Sequence, residues 1–281
     1  MNSQTEAELI ARPVLEFTSQ ELAQAMNRSF EEYFVPFNFD AASFERRFRS
    51  EHLDPAASRL WFRGDQLVGV VYLARRGWTC RVAGMGLVKE ARSQGYGRTM
   101  LQTAIEEATM RGDREMMLEV FTENEPARRL YERLGFRNTR HLLSFRRMPA
   151  PISNMTALSE LDPLTVARLV TTEGEPDLPW MFSAETLAAA APPARAFHLA
   201  HSAYAVVRPE AERSLLLTLV VPRGLRRQGW ATRMLQALEA EFPGVPLVAS
   251  LVPEGSVREV LRAAGWEQQP LSLYEMVRPL G

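Results

Sequence analysis

Arg92, Gln94, Gly95 and Gly97 fall within RSQGYG (92–97), and the chain repeats the pattern 134 residues later as RRQGWA (226–231). Each stretch follows an apolar run and precedes a helical one, so each reads as a turn from strand into helix. The first turn of a helix offers backbone N–H groups without a helical acceptor, and the helix dipole is positive there. Glycines at 95 and 97 let an anion approach that backbone and permit positive φ. The chemistry on offer is a phosphate cradle. Two commoner phosphate signatures are missing: there is no GxxxxGK(S/T), and no GxGxxG with an acidic residue about 20 positions on. Taken alone, the glycines read equally well as a purely structural turn.

The elements around the turns repeat as well. MLQ at 100–102 recurs at 234–236, and the apolar run 82–88 corresponds to 216–222. LYERLGF (130–136) corresponds to VLRAAGW (260–266), at an offset of 130. The order strand, glycine turn, helix, strand, helix ending in Gly-aromatic therefore occurs twice, and a period this long marks a duplicated domain. Prolines near 146–154 suggest the boundary, giving domains 1–149 and 150–281. In the first, Thr18 with Glu21 forms a capping box that opens a helix through about Phe34, and Asp40 caps a second. In the second, Asp162-Pro163 opens a helix and 197–207 reads as a strand. The expected fold class is α/β (α+β), a mixed sheet with helices on both faces, built twice.

Composition narrows the function. The 281 residues carry a net charge of −1 and 46% hydrophobic content, which describes a soluble protein with no field to recruit nucleic acid or an anionic membrane. Lys89 is the only lysine, which reflects arginine-rich usage throughout. One cysteine, Cys80, precludes an internal disulfide and fits a cytoplasmic location. No secretory leader or membrane-spanning run is read from the sequence. His198 and His201, three apart on the expected strand, would point to opposite faces, so no metal is expected.

Arg92-x-x-Gly95-x-Gly97, preceded by its apolar strand and followed by NEPARRLYERLGF (124–136), resembles the GCN5-related N-acetyltransferase (GNAT) family, whose turn reads (Q/R)xxGx(G/A). Arg226-x-x-Gly229-x-Ala231 satisfies the same pattern. The resemblance implies tandem GNAT domains, each a mostly antiparallel twisted sheet with a V-shaped split for acetyl-CoA. It implies that the backbone of Leu87, Val88 and Lys89 pairs with the pantetheine arm, with an N–H of Leu87 or Val88 polarising the acetyl carbonyl. The backbone amides of Gln94, Gly95, Tyr96, Gly97, Arg98 and Thr99 would hold the pyrophosphate, with Arg92 of the motif and the charge of Arg98 beside them, and Asn124 would bind the cofactor arm. Tyr131 would protonate the departing thiolate, and Glu119 or Glu123 would take the proton of the incoming amine.

The halves differ where the chemistry would lie. At the offset of 130, Tyr131 becomes Leu261, Asn124 becomes Glu254 and Glu119 becomes Ala249. Catalysis is expected in the first half, with Tyr204 and Tyr274 as the phenols the second could supply from elsewhere. The aromatic series Phe30, Tyr33, Phe34, Phe37, Phe39, Phe44 and Phe48 lies in the substrate-facing region, as core or as acceptor pocket. The implied activity is transfer of acetyl from acetyl-CoA to a primary amine on a small molecule, within a ternary complex. Alternatives are acetylation of a sugar-linked cysteine amine, as by mycothiol synthase, and a non-catalytic acyl-CoA sensor.

Overall fold

The computed structural model describes residues 8–149, 157–175 and 177–281. Along the chain run β1 (Leu9–Pro13), α1 (Ser19–Ser29), α2 (Ala41–Glu51), β2 (Arg59–Arg63), β3 (Gln66–Arg76), β4 (Thr79–Leu87) and α3 (Tyr96–Met110). Next come β5 (Glu115–Phe121), α4 (Glu125–Arg133), β6 (Arg137–Arg147), β7 (Ser159–Leu161), α5 (Pro163–Glu173) and α6 (Ala184–Ala188). The rest is β8 (Arg195–Leu199), β9 (Ala203–Pro209), β10 (Ser214–Val220), α7 (Trp230–Glu241), β11 (Leu247–Pro253), α8 (Ser256–Ala263), β12 (Glu267–Gln268) and β13 (Leu273–Pro279).

The chain divides into two compact units. One runs through Thr139 and takes back Glu275–Gly281; the other is Arg140–Tyr274. The division of the compact units falls inside β6, between Thr139 and Arg140. Pro151 and its neighbours, which suggested the later boundary, lie outside the described residues.

In the first unit the strand order is β1-β2-β3-β4-β5-β13. β1 to β4 pair antiparallel, whereas β4 and β5 are parallel. Strand alternation on β3 explains the layering. Tyr72 meets Phe44 and Phe48 of α2 and donates its hydroxyl to Leu22 O of α1 at 2.9 Å. Val71, one residue earlier, faces Met100 and Ala104 of α3 on the other side. Cys80 is buried in β4, and burial pushes its thiol up to about 12, so it offers no nucleophile. The second unit repeats the plan in the order β6-β11-β10-β9-β8-β7, with β10 and β11 its parallel pair. Ala203, Ala205 and Val207 pack under α7 and α8, and Val206 packs under α5 and α6.

Two local expectations change. The capping box at Thr18 forms, but α1 ends at Ser29 rather than Phe34. Glu32 takes a left-handed φ of 59°, and Asn27 holds the Phe39 backbone by two 2.9 Å bonds, so the aromatic stretch folds back over α1. The 197–207 segment is a hairpin, with Ala200 and His201 left-handed at its turn. His198 and His201 therefore stack, 4.0 Å between ring centroids, rather than facing apart. Among the described residues no helix is long and apolar enough to cross a membrane.

Candidate active site

β4 and β5 are joined only from Thr79↔Glu115 to Val82↔Leu118. β4 then runs on to Leu87 without β5, and a bulge opposite Tyr72 and Leu73 inserts Ala83 where the strands part. The result is a V-shaped split. Along the β3 ladder, Val88 donates its N–H to Val68 O at 3.0 Å. Antiparallel alternation then turns the N–H groups of Met85 and Leu87 away from β3, toward the split. Of the two amides expected to meet the acetyl carbonyl, that of Val88 is spent on the sheet and that of Leu87 is not.

At the mouth of the split lies the glycine turn. Arg92 does not point outward: Nε donates to Leu87 O at 3.2 Å and Nη2 to Glu31 O at 2.7 Å. It is a clamp on the loop. Gln94 likewise turns back, donating to Glu90 O at 2.6 Å. Ser93 (φ 64°) and Gly95 (φ 86°) are both left-handed, and α3 starts at Tyr96. Nothing in the sequence marks Ser93, a conformation that costs an ordinary residue about 1 kcal/mol. Tyr96 accepts from Arg63 at 3.2 Å, whereas Arg98 and Thr99 are exposed on the first turn. Gly97 is buried, with Leu130, Leu87 and Met85 each 3.5 Å from where a Cβ would stand. Lys89 pairs with Glu32 at 2.6 Å in the open.

α4 brings two further residues. Asn124 is its N-cap, accepting from Ala127 N at 3.3 Å, and its amide reaches the Tyr33 hydroxyl at 3.5 Å. Tyr131 is buried, with its ring against Phe136, and among the described residues its hydroxyl has no hydrogen-bond partner. Burial, reinforced by Tyr33 nearby, raises that hydroxyl above its ordinary 10.0, so it stays protonated at neutral pH. A phenol that keeps its proton and has no partner is suited to donate one.

Glu119 is placed differently from expectation. Arg81 donates from Nε to Oε1 and Oε2 at 3.1 and 2.9 Å, and Nη2 lies 2.7 Å from Oε2. Arg81 also binds Glu51 at 2.7 Å, and Glu51 binds Arg47 at 2.7 Å. The side chains of Glu51, Arg81 and Glu119 are at most 6% exposed. Both Glu119 oxygens therefore serve a buried ion-pair chain, and of the two candidate bases Glu123 is the exposed one. Sequence spacing could not show this, because Glu51 and Arg81 lie 30 residues apart.

The aromatic series also separates. Phe30, Phe44 and Phe48 are core, whereas Tyr33, Phe37 and Phe39 are half-buried and Phe34 is exposed. Tyr33 and Phe34 rest on Phe121, at the far end of β5. These rings form an apolar apron beside Asn124.

The second unit copies the frame. β10 and β11 pair only at Ser214↔Leu247 and Leu215↔Val248 before parting. Arg226 donates to Val221 O at 3.1 Å and to Glu173 O, Gln228 turns back to Gly224 O, and Arg227 and Gly229 are left-handed. Leu261 O accepts from Trp266 N as Tyr131 O does from Phe136 N, which fixes the correspondence of Leu261 with Tyr131. Leu261 is fully buried and has no proton to give; Glu254 pairs with Arg258 at 2.9 Å. The Tyr204 hydroxyl donates to His201 O in its own hairpin, and the Tyr274 ring lies tilted against His141, 5.3 Å between centroids.

Residues 20–136 match the acetyltransferase (GNAT) family. Over 90 residues the chain is 36% identical to N-alpha-acetyltransferase 30 of Schizosaccharomyces pombe, a match spanning 30% of this chain and 60% of that relative. Solved structures extend the likeness to both units. A GCN5-related N-acetyltransferase from Sphaerobacter thermophilus aligns with TM-score 0.68 at 15% identity, covering 97% of this chain and 96% of its own. A tandem GNAT protein from the clavulanic acid biosynthesis pathway aligns with TM-score 0.66 at 16% identity, covering 98% and 99%.

Proposed function

We propose that the first unit, whose residues 20–136 match the GNAT family, is an acetyl-CoA-dependent N-acetyltransferase in a chain that has the tandem GNAT fold along its length. The acceptor is a primary amine on a small molecule, and the name of the yeast relative favours an α-amino group. One observation carries the reading: the split between β4 and β5, the outward N–H of Leu87, the turn at Gly95 and the Tyr131 hydroxyl, unpartnered among the described residues, occur together in one unit.

These residues fit acetyl-CoA. The first-turn amides of α3 suit a diphosphate, and the open edge of β4 suits an extended amide-bearing arm. Bound there, acetyl-CoA supplies an activated thioester. The Leu87 N–H stabilises the negative charge that develops on the acetyl oxygen, a contribution of a few kcal/mol when well aimed. Tyr131 returns a proton to the leaving sulfur, and the amine surrenders its own to Glu123 or to water. Asn124 holds the wall between the cofactor arm and Tyr33. The second unit keeps the split and the turn without the acid, and is proposed as a non-catalytic partner domain.

The test is calorimetric titration of acetyl-CoA into wild type, Gly95→Glu and Gly229→Glu, with thiol release followed over a panel of primary amines. Loss of binding and turnover in Gly95→Glu alone supports the proposal. Turnover abolished by Gly229→Glu alone, or binding with no amine accepted, overturns it.

A further inference from the structure

The buried ion-pair chain has one open end. Arg81 is spent on Glu51 and Glu119, and Glu51 is spent on Arg81 and Arg47. Arg47 is not spent. Its Nε holds Glu51, and Nη2 lies 3.5 Å from Ala83 O. Among the described residues Nη1 makes no hydrogen bond. Its side chain is 26% exposed, against 0–6% for the other three members.

The location of that open end matters. Ala83 is the residue at which β4 leaves β5, so the guanidinium sits at the apex of the split. Phe37, Phe39 and Phe48 surround it, with ring centroids 5.3–5.7 Å from Cζ. The rings fix the plane of the guanidinium and leave its edge as the polar group within an apolar apron. A planar fork with unused donors is matched by a carboxylate. The chain behind it, Glu51, Arg81 and Glu119, anchors the fork through Glu51.

We propose that Arg47 is a specificity residue that binds a carboxylate on the acceptor, so that the acceptor is an amino acid or similar compound: a primary amine, a carboxylate and an apolar body. The amine reaches the split, the carboxylate meets Arg47 and the apolar body lies on Phe37 and Phe39. This rests on the acetyltransferase reading above for the identity of the amine, but the anion site is measurable without turnover.

The experiment uses acetylated products as ligands. N-acetyl-L-phenylalanine and N-acetyl-2-phenylethylamine differ by the carboxylate alone, and each is titrated into the full chain saturated with CoA. In wild type the acid binds at least about tenfold more tightly than its neutral counterpart. In Arg47→Met, which keeps the stem against the rings, the two differ by less than about threefold. Arg47→Lys, which keeps the charge and loses the fork, falls between. Equal binding of the two by wild type, binding of neither, or a preference that survives in a folded Arg47→Met each overturns the assignment. Phenylalanine is then offered with acetyl-CoA. If the acid binds through Arg47 and no thiol is released, the carboxylate site stands and the acetyltransferase reading fails; if thiol is released and Arg47→Met keeps the preference, the reverse holds.

Discussion

Arg81, one residue before Val82, grips Glu119, one residue after Leu118, with Nε and Nη2 at 2.7–3.1 Å, so the bridge crosses Val82↔Leu118, the last rung that joins β4 to β5. The bridge ties the two strands together at the point where they are about to separate, and so fixes the apex of the split. Replacing Glu119 by Gln leaves Arg81 buried with one charged partner fewer, at a cost of about 3 kcal/mol in urea unfolding. The rise of kcat/KM on the acid side of the pH profile keeps its shape in this variant. Disappearance of that limb in Glu119→Gln would restore Glu119 as the general base.

Tyr131→Phe removes one oxygen from a ring that packs on Phe136. Among the described residues the hydroxyl has no hydrogen-bond partner, so folding stability stays within about 0.5 kcal/mol of wild type. Turnover falls by about 10²–10³, the range expected for loss of a positioned general acid, with acetyl-CoA affinity unchanged. The direction of the shift gives a second check. Burial raises this phenol above 10.0, so its deprotonation cannot produce an alkaline fall in rate below that pH. A pH–rate profile measured to about pH 9.5 shows no limb that Tyr131→Phe abolishes.

Gly95 and Gly97 respond differently to alanine. At Gly95 an added Cβ meets nothing within 4 Å, but φ is 86°, so the penalty is backbone strain of about 1 kcal/mol. At Gly97 the helix is regular and a Cβ would stand 3.5 Å from three side chains, an ordinary contact, and the matching position of the second unit is Ala231. Gly97→Ala therefore melts within about 0.5 kcal/mol of wild type. A larger loss in Gly97→Ala than in Gly95→Ala would contradict this account of the turn.

How much of this was legible beforehand follows from how local each signal is. The glycine turns, the caps at Thr18 and Asp40 and the helix carrying Tyr131 are encoded within a few residues, and all appear where the pattern puts them. The inward role of Arg92 was not legible. Its partners include Glu31 O, a backbone atom 61 residues away that gives no side-chain pattern to read. The same holds for Glu119, whose alternation on β5 fits a free carboxylate as well as a paired one until Arg81 is placed across the strand. The early end of α1 was hidden because Tyr33, Phe34 and Phe37 continue a helical spacing while packing as a folded-back apron.

Glu51 gives the molecule a characteristic response to acid. Burial by itself would raise this carboxyl, but Arg47 and Arg81 on either side hold it below its ordinary 4.5. A folded-state value lower than the unfolded one means that the unfolded chain takes up the proton first. The stabilisation is therefore complete above about 4.5 and is lost as the pH falls through the folded value. Asp54, held down by Arg75 and the amides of Ala56 and Ala57, acts in the same direction. The urea midpoint drops as the pH falls below about 4.5. In Glu51→Gln the midpoint is lower at neutral pH, by about 3 kcal/mol of stability, because Arg81 and Arg47 lose a shared partner. Its further decline in acid is shallower, with the residual slope coming from Asp54. A Glu51→Gln curve parallel to that of wild type through the acid range would show that Glu51 is not held in this ion-pair chain in solution.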